Sequence, residues 1–303
     1  MSASVLVIPA TFATAIADRP AVSGCDGKSW LRDLPRLISD CVEQWDLKAD
    51  GEPQFGSTAL VLPYLRDDRP IVLKVTWPHP EARFEHLALR QWDGRGAVRL
   101  FAADPTRWAL SLERLDSSRT LETLPILDAC RELGDLFRRL DAPPVARVDD
   151  LPTHSTRWSV RCRVGSPHVP RRMSQQAASM LQDLGPDSAK DLVHTDLHFT
   201  NVLAAQRDPW LAIDPKPING EWEFAVAPAL WNRWDEALKA DSVRAHLRTR
   251  LSVICQAADL DEDRARDWSF IRLVLNALAE AEDSAPDQAA LSRYVIAAKA
   301  MQE

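Results

Sequence analysis

The segment LVHTDLHFTNVLAA, residues 192–205, holds four side chains that could do chemistry, namely His194, Asp196, His198 and Asn201. An aspartate on a loop can accept the proton of a substrate hydroxyl. An asparagine five residues further on can reach back to a metal ion held beside that aspartate. The spacing therefore favours a site that activates a hydroxyl group next to a bound cation.

A second carboxylate follows at the end of another apolar segment, LAIDP, which presents Asp214. The intervening NVLAAQRDPWLAID predicts a strand, a turn at residues 207–209 and a second strand. Such a hairpin would bring Asn201 and Asp214 to the same end. Amide and carboxylate oxygens are the ligands that hard cations prefer, so these two residues predict a magnesium site.

Phosphoryl transfer also needs a lysine on the nucleotide phosphates and a loop that contains glycine. Lys74 lies within the apolar strand IVLKVTW, where a charge requires a partner. We expect that partner to be Glu85 in the following predicted helix, with Glu81 as the alternative. The loop FGSTA, residues 55–59, supplies the glycine, which by itself indicates only a turn.

The motif HTDLHFTN resembles the H-x-D-x-x-x-x-N catalytic loop of the aminoglycoside phosphotransferases, kinase-fold enzymes that inactivate antibiotics. The chain is more similar to one branch, the streptomycin 6-kinases and hydroxyurea-resistance kinases. The similar segments are DGEPQFGSTALVLPY, LALRQWDGRGAVRL, LSLERLD, LAIDPKP and LWNRWDEA. They extend over most of residues 28–240, and the catalytic loop with the downstream IDPK is the most specific of them.

The resemblance implies a role for each matching residue. Asp196 would be the catalytic base or would orient the acceptor hydroxyl. The implied cofactor residues are Asn201 and Asp214 for Mg²⁺, Lys74 paired with Glu85 and Ser57 for the phosphates of ATP, and the backbone of Glu113 and Leu115 for adenine. The implied activity is an ATP- and magnesium-dependent transfer of a phosphoryl group to a hydroxyl of a small molecule, with an aminoglycoside such as streptomycin as the first candidate.

The two histidines and Lys216 leave alternatives open. His194 and His198 are four residues apart, as in a helical zinc site, but Thr195 stands where such a site has glutamate, and the segment is strand-like. We expect His194 to brace the loop through backbone hydrogen bonds and His198 to position Asp196 or a phosphate. Lys216 could neutralise charge on the moving phosphoryl group or form a plain salt bridge with Asp214.

The stretch after DPK is acidic and could form the wall of an acceptor site. Its candidate residues are Glu221, Glu223, Trp231, Asp235 and Glu236. Carboxylates bind guanidinium and ammonium groups through charge-assisted hydrogen bonds, so we expect a cationic acceptor. Trp231 and Trp234 could instead be core residues, and the alternative place for the acceptor pocket is the segment 141–170.

One position departs from the family pattern. Many relatives carry an aspartate that buttresses the catalytic loop where this chain has Ala225, and Glu221 or Glu223 could replace it. A degenerate kinase fold that binds a nucleotide or a drug without turnover therefore stays an alternative, as does a kinase of another small metabolite or of hydroxyurea. The intact set of Lys74, Asp196, Asn201 and Asp214 argues against the degenerate fold.

The predicted elements indicate an α+β, bilobal, protein-kinase-like fold. Residues 1–115 predict a β-rich nucleotide-binding lobe, in which residues 1–50 form an N-terminal extension and a helix. Residues 116–303 predict a helical lobe with the catalytic loop and the acceptor site. Within them we expect a short strand or covering segment in the apolar stretch 5–18, an irregular segment at 141–170, and four helices beyond residue 225.

Composition narrows the class of partner and the compartment. Acidic residues outnumber basic ones by 44 to 37, which argues against a nucleic-acid-binding surface and mildly favours a cationic or neutral partner. The five scattered cysteines predict reduced thiols in a cytoplasmic protein. The stretch 5–18 has no Lys or Arg before it, so we do not interpret it as a signal peptide. No apolar stretch is long enough to predict a membrane span.

Overall fold

The computed structural model describes residues 8–19, 21–22, 25–283 and 285–302. The chain divides into two compact units. The first contains the described residues up to Gly94 together with Val98–Leu115, and the second contains Arg95–Ala97 together with the described residues from Asp116 onwards. Within the described ranges, no helix is both long and apolar enough to cross a membrane.

The first unit is built on an antiparallel sheet. Its strands are β1 (Lys48–Ala49), β2 (Gln54–Phe55), β3 (Ala59–Arg66), β4 (Arg69–Thr76), β5 (Leu100–Asp104) and β6 (Ala109–Glu113). They are arranged in the order β1-β3-β4-β6-β5, and β2 also pairs with β3. The predicted hairpin is present as β3 and β4, and Asp67 and Asp68 form its turn with φ of 49° and 60°. Aspartate tolerates this left-handed backbone, which suits a two-residue hairpin turn.

Among the described residues of the first unit, three helices pack on the sheet, namely α1 (Ala10–Ala17), α2 (Gly27–Gln44) and α3 (Glu85–Trp92). The predicted helix at 28–47 is present as α2, whose N-terminus is capped by Asp26 accepting from the Ser29 amide at 2.8 Å. A 3₁₀ turn, Pro80–Ala82, precedes α3, so this helix begins later than its proline and acidic residues predict. Helix α3 is the next helix after β4, and its first residue, Glu85, contacts Lys74 of that strand.

The expected strand at the N-terminus is wrong within the described residues, because Ala10–Ala17 is helical, while residues 5–7 lie outside the described part. The segment does cover the core of the first unit, which was the alternative expectation. Phe12 and Ile16, four residues apart and both buried, face the core, and the Phe12 ring lies edge-on to Trp30 at 6.2 Å. A Cβ atom on Gly27 would lie 1.8 Å from the Ile16 carbonyl oxygen, so only glycine permits this close packing of α1 and α2.

The second unit is mostly helical. Its helices are α4 (Ile126–Arg139), α5 (Leu151–Val164), α6 (Arg171–Leu184), α7 (Trp222–Ala225), α8 (Pro228–Trp231), α9 (Trp234–Lys239), α10 (Val243–Ala258), α11 (Glu262–Glu282) and α12 (Gln288–Met301). Its strands are β7 (Asp116–Thr120), β8 (Asp191–His194), β9 (Val202–Ala204), β10 (Trp210–Ala212) and β11 (Pro217–Gly220). They form two small antiparallel sheets, β10-β9-β7 and β11-β8.

Two expectations about the second unit are wrong. The segment 141–170 contains α5, because Asp150 caps the Thr153 amide at 2.7 Å and Pro152 occupies the first turn, where proline is tolerated. The buried residues of α5 recur every three or four positions, as on one face of a helix. The Pro- and Arg-rich composition of the segment conceals this spacing. Beyond residue 225 the chain forms two short helices, α8 and α9, followed by the long helices α10, α11 and α12, instead of four helices.

Candidate active site

The second unit brings the catalytic-loop residues together through the antiparallel pair β8–β11 and the short hairpin β9–β10. Strand β8 ends at His194, which pairs with Pro217 of β11, so Lys216 lies beside the start of the loop. The loop then passes through a 3₁₀ turn, Phe199–Asn201, into β9. The β9–β10 hairpin returns the chain to Asp214, as predicted, and the Ile213 amide donates to the Asn201 carbonyl oxygen at 2.9 Å.

His194 is fully buried and uses both ring nitrogens in backbone hydrogen bonds. Its Nδ1 accepts from the Asp196 amide at 3.1 Å, so its Nε2 carries the proton and donates to the Ile213 carbonyl oxygen at 3.0 Å. Burial lowers the pKa of His194 to about 4, which keeps the ring neutral at physiological pH. The side chain thus links the loop carrying Asp196 to the residue before Asp214, as expected for a brace, and leaves no nitrogen for zinc.

The lowered pKa of His194 predicts a pH-dependent loss of stability. Between the ordinary value of about 6.5 and the folded value of about 4, the unfolded state binds a proton that the folded state excludes. Stability is therefore complete above about pH 6.5 and falls towards pH 4, by roughly 3 kcal/mol for this residue. Denaturant unfolding of wild type and His194→Gln at pH 7.0 and 4.5 measures the free energy of unfolding. We expect this free energy to fall less between the two pH values in the variant. An equal loss in both proteins would contradict the assignment.

Hydrogen bonds with Lys216 and Asn201 hold the backbone of Thr195 and Asp196 in place. The Thr195 amide and hydroxyl both donate to the Lys216 carbonyl oxygen, at 3.1 and 2.8 Å. The Asp196 carbonyl oxygen accepts from Asn201 Nδ2 at 2.9 Å. Lys216 Nζ lies 2.7 Å from Asp196 Oδ2, so the lysine forms an ion pair with the candidate base.

Asn201 and His198 have defined orientations. Because Asn201 Nδ2 must donate to the Asp196 carbonyl oxygen, the amide oxygen Oδ1 points to the other side. His198 Nε2 lies 3.2 Å from the same Nδ2 and accepts from it, while His198 Nδ1 lies 2.9 Å from Thr200 Oγ1 and donates to it. Burial lowers the pKa of His198, which supports this neutral form. His198 therefore positions Asn201, and its Nε2 also lies 3.9 Å from Asp196 Oδ1, on the side where the sequence suggested a role.

The donor set at this end of the hairpin fits a magnesium ion. Asn201 turns an amide oxygen away from the loop, and the neighbouring Asp214 supplies a carboxylate. Asp214 has a φ of 53°, a left-handed conformation that costs little for aspartate and that turns the chain sharply after β10. Oxygen ligands of this kind suit a hard cation. Within the described ranges, no three His, Cys, Asp or Glu side chains form a separate metal-binding cluster.

In the first unit, Lys74 and Glu85 form a buried ion pair. Lys74 Nζ donates to both carboxylate oxygens of Glu85, at 2.7 and 2.8 Å, and both side chains are more than nine-tenths buried. Glu85 is the partner expected from the sequence, while Glu81 lies in the preceding 3₁₀ turn. A buried pair of this kind costs desolvation energy, so its presence in a small sheet favours a function in binding.

Lys74→Ala is expected to raise the Michaelis constant for ATP by at least about tenfold, the effect of losing one charge-assisted hydrogen bond to phosphate. The same change leaves Glu85 buried without its partner, which costs about 3–5 kcal/mol of stability. The double variant Lys74→Met with Glu85→Gln removes both charges and should recover stability but not ATP affinity. Denaturant unfolding and ATP kinetics on both variants measure the two effects. Unchanged ATP kinetics in the double variant would contradict the nucleotide role.

The remaining nucleotide candidates also lie in the first unit. Ser57 is exposed in the loop between β2 and β3, and its carbonyl oxygen accepts from Arg19 Nη2 at 3.0 Å. The Glu113 amide donates to the Arg99 carbonyl oxygen at 2.9 Å, so a contact with adenine would use the Glu113 carbonyl group. Leu115 is the last residue of the unit.

The acidic residues proposed for the acceptor do not form one wall. Glu221 is 1% exposed, and its carboxylate contacts Arg264 Nε at 2.7 Å, Lys190 Nζ at 3.1 Å and the Trp268 indole nitrogen. It follows Gly220, which pairs with Asp191 at the end of the β8–β11 strand pair away from His194. The assignment of Glu221 to the acceptor is therefore corrected, because its oxygens are buried and engaged.

The other acceptor candidates are distributed over α7, α8 and α9. Glu223 is half-buried on α7, two residues beyond Glu221. Glu236 binds Arg233 Nε at 2.7 Å, and Asp235 is exposed. Trp231 is half-buried, and its ring lies edge-on to Tyr294 at 6.1 Å.

Two residues near the loop were missed from the sequence. Arg272 of α11 donates to the Thr195 carbonyl oxygen at 2.7 Å. Tyr294 of α12 lies close enough to Asp196 for that carboxylate to contribute to raising the tyrosine pKa, for which burial is the main cause. A signal for Arg272 was available, since it is a lone charge within the apolar run FIRLVLNAL, in the way that Lys74 is a lone charge in its strand.

Comparison with known proteins agrees with this geometry. Residues 44–284 match the family model described as aminoglycoside/hydroxyurea antibiotic resistance kinase. The chain is 37% identical to the streptomycin 6-kinase of Streptomyces glaucescens, over 96% of this chain and 97% of that protein. It is 35% identical to the hydroxyurea phosphotransferase of Kitasatospora aureofaciens, over 86% and 77% of the two chains.

A solved structure shows the same fold at low sequence identity. A thermostable mutant of the aminoglycoside phosphotransferase APH(4)-Ia, in ternary complex with AMP-PNP and hygromycin B, matches with a TM-score of 0.55. That match has 13% identity and covers 88% of this chain and 98% of the other.

The chain belongs to the aminoglycoside/hydroxyurea antibiotic resistance kinase family. Its fold is kinase-like, with a β-sheet in the N-terminal part and helices in the C-terminal part, as the sequence predicts. It is a phosphotransferase that acts on a hydroxyl group.

Proposed function

We propose that this chain transfers the γ-phosphoryl group of ATP, with Mg²⁺, to a hydroxyl of a cationic aminoglycoside, with streptomycin as the first acceptor to test. The observation that carries the proposal is the arrangement around Asp196. Its carboxylate is held by Lys216 at 2.7 Å, its amide by His194, and its carbonyl oxygen by Asn201, which thereby turns its own amide oxygen outwards. A base fixed beside oriented metal-ligand atoms is what phosphoryl transfer requires.

In this mechanism the protein contributes position and charge. Asp196 orients the acceptor hydroxyl and accepts its proton through Oδ1, because Oδ2 is bound by Lys216. Lys216 provides positive charge beside the base as negative charge moves onto the transferred group. Asn201 and Asp214 would hold Mg²⁺, which neutralises phosphate charge when bound. Lys74, oriented by Glu85, would bind the nucleotide phosphates.

The proposed acceptor is cationic for two reasons. The relative with 37% identity is named a streptomycin 6-kinase, and streptomycin carries two guanidinium groups. Glu223, Asp235 and Glu236 lie on the short helices that follow β11; Glu223 and Asp235 offer carboxylates for such groups, and Glu236 would have to share its carboxylate with Arg233. Hydroxyurea is the second candidate, favoured by the relative with 35% identity, and it carries no charge.

A salt-dependence experiment distinguishes the two acceptors. We expect the Michaelis constant for streptomycin to rise with ionic strength and to rise about tenfold or more in the variants Glu223→Ala, Asp235→Ala or Glu236→Ala that remove a direct contact. Asp263→Ala, an exposed carboxylate on α11, is the matched control and should have no effect. Turnover of hydroxyurea but not of streptomycin would assign the neutral acceptor. Nucleotide binding without turnover of either compound would favour the degenerate binding protein.

A further inference from the structure

The resemblance described in the sequence analysis implies an aspartate at position 225 of α7, where this chain has alanine. Ala225 stands at that position, it is fully buried, and its methyl group cannot accept a hydrogen bond. Neither Glu221 nor Glu223 is seen to replace it, since Glu221 is engaged by Arg264 and Lys190 and Glu223 contacts no loop residue among the described interactions. The catalytic loop therefore needs a different hydrogen-bonding partner on the side that faces α7.

Arg272 lies between the catalytic loop and α7 and hydrogen-bonds to both. Its Nη1 donates to the Thr195 carbonyl oxygen at 2.7 Å and lies 3.3 Å from the Phe224 carbonyl oxygen. Thr195 precedes Asp196, and Phe224 precedes Ala225, so one guanidinium nitrogen joins the catalytic loop to α7. Hydrogen bonds from a charged donor are stronger than those between neutral groups, which suits a single side chain that must fix a loop.

Two aromatic rings pack against the Arg272 guanidinium and restrict its orientation. Its central carbon lies 4.6 Å from the centre of the Phe224 ring and 5.3 Å from that of Trp231. Phe224 in turn stacks on Trp158 at 5.8 Å with an interplanar angle of 10°. Arginine binds aromatic faces through cation–π contacts and loses little freedom on binding because its fork is rigid, whereas lysine offers neither property.

We propose that Arg272 is a positioning residue for phosphoryl transfer: it fixes the Thr195–Asp196 segment to α7 and so supplies the support that the alanine at position 225 does not. This inference rests on the proposed function, because it assigns Arg272 to the base of that reaction. Arg272 acts through the backbone and not on the nucleotide or the acceptor. Its loss should therefore affect turnover more than either Michaelis constant.

The first test is kinetic. Arg272→Ala is expected to lower kcat by up to about a hundredfold, as displacement of a catalytic group by about an ångström does. The Michaelis constants for ATP and streptomycin should stay within about threefold of wild type, well below the tenfold effect of losing a direct charged contact. Guanidinium chloride at low millimolar concentration should restore part of kcat by filling the space between Phe224 and Trp231, and sodium chloride at equal ionic strength should not. Arg266→Ala, on the same helix and paired with Asp263, is the control expected to match wild type.

The second test does not depend on activity. Hydrogen exchange followed by mass spectrometry should show faster exchange in the peptide covering residues 192–201 for Arg272→Ala, with wild-type exchange in the peptide covering β10. If Arg272→Ala does not fold, Arg272→Lys replaces it in both tests, because lysine cannot both join the two carbonyl groups and stack between the rings.

The results separate failure of the inference from failure of the proposed function. A wild-type protein without phosphotransferase activity would contradict the proposed function, while the exchange result still decides the role of Arg272. Unchanged loop exchange, wild-type kcat in the variant, or equal recovery with sodium chloride would overturn the inference.

Discussion

Asp196→Asn is expected to lower kcat by at least about two orders of magnitude, the usual effect of losing a positioned acid–base group. Asparagine has nearly the same shape, so the backbone bonds to His194 and Asn201 should remain. The change removes only the proton-accepting charge and the ion pair with Lys216. Nucleotide affinity should therefore change little, and steady-state kinetics together with calorimetric titration of ATP measure the two quantities.

A carboxylate on β8, the strand that precedes the Asp196 loop, serves as the control for this experiment. Asp191 lies at the other end of β8, is partly buried, and has a raised pKa chiefly because of that burial. Asp191→Asn should therefore keep wild-type kcat. Turnover by Asp196→Asn within a few-fold of wild type would remove Asp196 from the mechanism.

Asp214→Ala is expected to abolish the magnesium dependence of nucleotide binding and, with it, turnover. A carboxylate is a principal ligand of a hard cation, and the neighbouring Asn201 offers only a neutral oxygen. Calorimetric titration of ATP with and without Mg²⁺ measures this directly. In the wild type Mg²⁺ should strengthen binding, and in the variant the two titrations should coincide.

Asp208→Ala provides a matched change at the other end of the same hairpin. Asp208 lies in the turn between β9 and β10 and pairs with Arg139 and Arg207, each at 3.0 Å. Its replacement should preserve the effect of Mg²⁺ on nucleotide binding. An unchanged Mg–ATP affinity in Asp214→Ala would show that the metal ligands lie elsewhere.

The sequence predicts those parts of the site in which local pattern determines geometry. A lysine inside an apolar strand needs a partner within reach, so the sequence offered Glu85, with Glu81 as the alternative, and Glu85 is the partner of Lys74. A two-strand hairpin around a turn at residues 207–209 brings Asn201 and residue 213 into register, and the hydrogen bond between them is present. Both inferences use contacts that are close along the chain.

Inference from the sequence failed for contacts between residues that are distant along the chain. It also failed where the composition of a segment conceals the helical spacing of its buried residues. Glu221 follows the IDPK motif closely, but β11 runs away from His194, so the glutamate lies at the opposite end of the β8–β11 strand pair. Helix α5 gives no clear apolar pattern, because two of its four buried residues, Ser155 and Ser159, are polar. Arg272 lies 77 residues from Thr195, and no spacing rule connects the two.

The central claim is that this chain phosphorylates a hydroxyl of streptomycin and uses Asp196 to do so. Purified protein is incubated with ATP, Mg²⁺ and streptomycin, in parallel with Asp196→Asn, and the products are analysed by mass spectrometry and phosphorus NMR. We predict one phosphate ester on a streptomycin hydroxyl and an equal amount of ADP with the wild type, and neither product at a comparable rate with the variant. ADP formation without a streptomycin phosphate ester, or equal ester formation by both proteins, would contradict the account.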